Sequence, residues 1–160
     1  MTFDLITDLR VFLAYSLEME KEAAERLQKY SQMMEKLNHR QLAKTISELA
    51  TFSQQHAEEI EELGKDLQLS LVATADINPG TEHSPETFNP ENSTTTMSSR
   101  EAVKTMLSQE QESADFYAEV ASRTTHPQIR KFALLFAKEE KEHAATLETW
   151  LHRLPDDEGK

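Results

Sequence analysis

The chain has 160 residues, 38% of them hydrophobic, which is enough to line the core of one domain, and its formal charge of −12 argues against a nucleic-acid partner. It contains no cysteine, so disulfides, thiolate catalysis and iron–sulfur ligation are excluded, and His, Asp and Glu remain as ligands for hard or borderline metals. With three glycines and an abundance of Glu, Lys, Leu, Ala and Gln, the composition favours an all-α bundle. The N-terminal Met1-Thr2-Phe3-Asp4 lacks a basic segment followed by an apolar one, and no apolar run approaches the ~20 residues of a membrane span, so a cytoplasmic protein without membrane contact is expected.

The first predicted element is a helical hairpin over residues 4–66. From Leu5 to Leu63 there is no Pro or Gly, the apolar residues recur at helical spacing, and the break falls near Leu37-Asn38-His39. Residues 67–98 carry Pro79, Pro85, Pro90, Gly80 and the run Ser93 to Thr96, and read as a loop. So long a loop suits a compact domain only if the chain must travel the length of a bundle, ~40 Å for a helix of about 27 residues. A second hairpin is predicted over residues 99–154, divided near Thr124-Thr125-His126-Pro127, with Pro127 suited to a first helical position. Ser98 and Glu101 have the spacing of a capping box. Two hairpins joined by one long crossover make the connectivity of a ferritin-like four-helix bundle, here a single domain over residues 1–160.

Each helix carries a seam advancing in steps of three and four. The first gives Leu13, Leu17, Glu20, Ala24 and Leu27; the second Leu42, Ile46, Leu49, Ser53, His56, Ile60 and Leu63. The third gives Val103, Leu107, Glu110, Ala114 and Tyr117; the fourth Ile129, Ala133, Phe136, Glu140, His143, Leu147 and Trp150. All are apolar except near their middles, where Glu or His stands in place of Leu or Ala. A lone buried carboxylate is costly, and one such position would be an ordinary satisfied core group. Antiparallel packing brings all four to one height, and a metal is the simplest neutraliser for three acids and two imidazoles packed together. Glu140 and His143, three residues apart, project from one helix face and can bind one ion.

The hairpins also resemble each other. Glu20 to Leu27 parallels Glu110 to Tyr117, and Gln55-His56-Ala57 parallels Glu142-His143-Ala144, with the Glu-to-His separation three residues longer in the first copy. On these residues the chain resembles the rubrerythrins, a branch of the ferritin-like superfamily, over its whole length outside the crossover. In that family each half supplies a Glu from its first helix and a Glu-x-x-His from its second, together holding two iron ions that react with peroxide or oxygen. The resemblance implies Glu20, His56, Glu110, Glu140 and His143 as metal ligands, with Tyr117 beside them. Two iron ions are expected, with unequal occupancy; Mn or Zn would suit the same donors.

The first half departs from the pattern at Ser53, where the Glu of Glu-x-x-His should be, and at Leu27, where the companion tyrosine should be. Water or hydroxide beside Ser53, or Glu59 one turn beyond His56, are the candidate replacements. The cysteine ligands of a rubredoxin-like module are absent, so the resemblance implies an external electron-donor protein, together with a homodimer. The expected function is an oxidoreductase that reduces peroxide or oxygen with oxidation of iron(II); the alternative is a non-catalytic metal-binding or iron-buffering bundle. Met33, Met34, Tyr15 and Tyr30 read as packing residues, His83, His126 and His152 as solvated or capping groups, and Asp156 to Glu158 as an acidic tail.

Overall fold

The computed structural model describes residues 2–69 and 97–155. A short helix α1 (Phe3–Thr7) precedes α2 (Leu9–Lys36), α3 (Arg40–Gly64) and a 3-10 turn (Lys65–Leu67); the second described segment holds α4 (Ser99–Arg123) and α5 (Pro127–Arg153). The sequence predicts one helix from residue 4, whereas the chain breaks at Asp8. Its backbone is extended and its carboxylate accepts from the Arg10 N–H at 2.9 Å, so Asp8 acts as an N-cap that restarts the helix.

The other boundaries have equally local causes. Asn38 takes a positive φ of 63°, while the His39 N–H bonds to the Met34 carbonyl and the Asn38 N–H to that of Glu35. This is a Schellman stop with Asn in the position glycine usually holds. The Ser98 hydroxyl accepts from the Glu101 N–H at 3.1 Å and starts α4. The His126 Nδ1 accepts from the Gln128 and Ile129 N–H groups, and Pro127 occupies the first turn of α5. His126 thus caps a helix, while His152 is exposed on the last turn of α5.

The apolar core falls into two parts. One contains Leu5, Phe12 and Leu13, Ile60 and Leu69, Val120, and Ile129. The other contains Met34, Leu42 and Ile46, Val103 and Leu147. The N-terminal half of α2 therefore shares an end with the C-terminal halves of α3 and α4. Leu69 belongs to the first part and Met97 packs on the second, so the described segments leave off and resume at opposite ends. Most of the predicted crossover, residues 70–96 with His83 and the three prolines, lies outside the described residues, as does the tail from Asp156.

The seam holds with three changes. Leu63 is 49% exposed, because the turn from Ile60 places Gly64 inward. Leu69 folds back onto Gly64, and a Cβ there would collide with the Leu69 side chain. Leu107 and Trp150 are half-buried, and Met106 takes the fully buried position beside Leu107. Tyr15, Tyr30 and Met34 are buried as packing predicts, with Met33 at the margin.

Candidate metal centre

Between the two apolar parts lies a buried polar layer. Glu20 on α2, Ser53 and His56 on α3, Glu110 on α4, and Glu140 and His143 on α5 are all at least 94% buried. Each comes from the middle of a long helix, so the layer is held by apolar packing above and below.

His143 Nδ1 lies 3.6 Å from Glu110 Oε2 and 3.7 Å from Glu140 Oε2. Glu110, Glu140 and His143 each offer a ligand atom, all within 4.8 Å of one another, which is close enough to hold one metal ion. His56 Nδ1 lies 3.2 Å from Glu20 Oε1, and Glu20 is within hydrogen-bond reach of Glu140. Both imidazoles therefore present Nδ1 to carboxylates. All five sequence-predicted donors meet in one layer: three form one group, and Glu20 with His56 forms a two-donor pair beside it.

The electrostatics show what this layer lacks. Burial pushes the Glu110 carboxyl up to about 8, with the Glu140 charge adding to it, and burial pushes Glu20 up to about 7 despite a hydrogen bond from Glu140. Glu140 is raised by burial too, partly offset by its contact with Glu110. Burial opposes the His143 cation, but Glu110 and Glu140 outweigh it and raise His143 to about 10. A dry core disfavours anions and this one gathers three, so positive charge is wanted. Glu20 Oε2, His56 Nδ1 and His143 Nδ1 are buried without an aligned hydrogen-bond partner. Buried donor atoms that face inward and lack partners suit a metal ion better than a self-contained polar network.

Tyr117 is fully buried, and burial with the nearby Glu20 and Glu140 charges keeps its hydroxyl protonated well above the ordinary range. It packs edge-on against Phe12 and Phe136, and Phe136 in turn meets the His56 ring at 4.5 Å. Leu27, its counterpart in the first half, is buried in the other apolar part.

Two residues near the site were not singled out by the sequence. Glu139 Oε2 lies 3.2 Å from His56 Nε2, on the far side of the ring from Glu20. Glu59, one of the two candidate replacements for the missing acid, is exposed on α3, and its charge acts on His56 and Glu139 from the surface. Phe52 sets its ring edge-on to His143 at 4.7 Å. The signal for both was adjacency: they directly precede Ser53 and Glu140. A groove of about 510 Å³ runs along α2 and α3, lined by Ser31, Lys44, Ser47 and Gln55 among others, and Phe52, whose ring meets His143, also lines it.

Long helices packed in two hairpins around a buried carboxylate–histidine layer define the ferritin-like class. The family described as Rubrerythrin matches residues 11–152, and the chain belongs to it. A solved structure of an uncharacterized conserved protein from Magnetospirillum magnetotacticum is similar, with a TM-score of 0.80 and 26% identity over 95% of this chain and 99% of that one. No curated protein matches. The family is one of di-iron carboxylate proteins, and Glu110, Glu140 and His143 form a candidate metal-binding group of that kind in this chain. No helix among the described residues is long and apolar enough to cross a membrane.

Proposed function

We propose that the chain is a non-haem di-iron protein that reduces peroxide or oxygen, with Glu20, His56, Glu110, Glu140 and His143 holding two unequal metal positions. The observation that carries this reading is the approach of Glu110, Glu140 and His143 within 4.8 Å in a buried layer whose acids are pushed towards protonation. When bound, iron supplies the redox change and open coordination positions for the oxidant. The chain's residues do the rest. The carboxylates exchange protons for the cation, the two Nδ1 atoms fix its place, and the apolar parts on either side keep water out. Tyr117 keeps its hydroxyl protonated in the field of Glu20 and Glu140 and so adds no further negative charge to the layer. The electrons come from a separate donor protein.

The test is anaerobic loading with iron(II) followed by peroxide. A near-ultraviolet ferric band that appears in step with peroxide consumption supports the proposal; no protein-bound ferric species overturns it. A second reading, iron storage without turnover, is favoured by Ser53 and Leu27. It predicts the band after one oxidation and no sustained consumption when a reductant is added.

A further inference from the structure

The repeat aligns His56 with His143 and Ser53 with Glu140, and so it aligns Phe52 with Glu139. These two are the residues found behind the opposite half's histidine: Glu139 of the second hairpin on His56, and Phe52 of the first hairpin on His143. The exchange is what a pseudo-two-fold bundle requires. It makes the two contacts one structural device filled by different chemistry in its two copies.

His56 is 96% buried, and its two nitrogens face opposite ways, Nδ1 to Glu20 and Nε2 to Glu139, each at 3.2 Å. Neither Nε2 nor Glu139 Oε2 has an aligned hydrogen-bond partner, though both atoms are buried. Glu20 is also within reach of Glu140. Glu139 is thus the acceptor positioned for a proton on Nε2, which leaves Nδ1 free as a donor to metal. A histidine that binds metal through one nitrogen is commonly fixed by a carboxylate on the other. Charge points the same way. Two divalent cations against Glu20, Glu110 and Glu140 leave one positive charge over, because Ser53 replaces a fourth acid, and Glu139 supplies a negative charge at the half of the site that lost one.

We infer that Glu139 is a positioning residue for the weaker metal position: it holds His56 in the Nε2–H form and offsets the carboxylate missing at Ser53, while Phe52 gives His143 only an apolar backing. This rests on the metal-centre reading above, and the experiment separates the two. Imidazole nitrogen NMR of the metal-free protein should show His56 as the Nε2–H tautomer in the parent and in Glu139→Gln, whose amide oxygen still accepts, and as a mixture in Glu139→Leu. Anaerobic cobalt(II) titration should show the second equivalent weakened about 10- to 100-fold in Glu139→Leu with the first unchanged. Glu139 is partly exposed, so both variants should fold. Phe52→Glu, the same device built into the other half, should move His143 to the Nε2–H form and tighten the first equivalent. If the parent binds no cobalt the metal-centre reading fails, and the tautomers alone then decide the role of Glu139. An unchanged His56 tautomer in Glu139→Leu, or an unchanged second equivalent where the parent binds two, overturns the inference.

Discussion

Glu20 and Glu140, one from each helical hairpin, come within hydrogen-bond reach of each other in the core. Glu140 also lies 3.7 Å from His143, so it links the three-donor group to the Glu20–His56 pair, as the proposed bridging carboxylate would. Glu20 meets His56 and Glu140. On the two-metal proposal, removing Glu140 strips both positions, and removing Glu20 strips one. Glu140→Ala should lower iron or cobalt affinity by at least about tenfold more than Glu20→Ala, given what single donors contribute to such sites. Side-by-side anaerobic titrations check this, and a larger loss for Glu20→Ala would refute the assignment of the bridge.

The metal-free site should make the fold sensitive to alkali. Glu20 and Glu110 are raised in the folded state to about 7 and about 8 from an ordinary 4.5. A carboxyl raised on folding contributes stability that is fully present below 4.5 and is lost as pH rises through the folded value. His143, raised to about 10, loses its contribution in the same direction at higher pH. His56 is lowered by burial and acts oppositely, but below its ordinary 6.5. Between pH 6.5 and 8.5, then, the signs agree, and exposed carboxylates have already ionised. With chelator present, the melting temperature should fall across this window. It should fall less in Glu110→Gln, and bound metal should stabilise more at the higher pH because it replaces the departing protons. A flat or rising curve for the metal-free parent would contradict the buried-acid layer.

Asn38 offers a test of the fold apart from the site. Its φ of 63° is tolerable for Asn because the short amide suits a left-handed residue, whereas Ala there meets the usual penalty of roughly 1–2 kcal/mol. Asn38→Ala should therefore lower stability by about 1 kcal/mol and Asn38→Gly should not, as measured by urea unfolding. Equal losses would mean the α2–α3 turn is held by something other than this backbone conformation.

How far the sequence could be read depended on whether the signal was periodic. The seams fixed which face of each helix is buried, and because Glu20, Ser53, His56, Glu110, Glu140 and His143 fell on those seams, the donor layer came with them. The misses lie where periodicity gives no answer. Asp8 interrupts a helix through a side-chain cap, which leaves the apolar spacing on either side intact. Gly64 replaces Leu63 inside because Leu69, beyond the helix, packs into the space that glycine leaves. Glu139 lies one position off the seam, so it looks like solvated surface; only the α3–α5 packing that brings it to His56 reveals its partner. Side chains at the seam's margin reach across to a neighbouring helix, and their partners depend on how the hairpins dock.

The position where the chain breaks its own repeat gives the sharpest test. Ser53 is 99% buried on α3, one turn before His56, and it aligns with Glu140, one turn before His143. Ser53→Glu should thus place a fourth carboxylate in the polar layer. Without metal it joins Glu20, Glu110 and Glu140, all already raised by burial, and the added acid should destabilise the fold. With two divalent cations it offsets their surplus charge, and any ligand that binds the folded state more tightly raises the melting temperature in proportion to the logarithm of that gain. The variant should therefore melt several degrees below the parent with chelator and at or above it with anaerobic iron(II), and its second metal equivalent should bind more tightly. Glu139 makes the comparison informative. If it already offsets the missing acid, Ser53→Glu should tighten the second equivalent more in a Glu139→Leu background than in the parent. Equal lowering of the melting temperature with and without metal would show that Ser53 does not face the ions, and the correspondence between the two halves would fail with it.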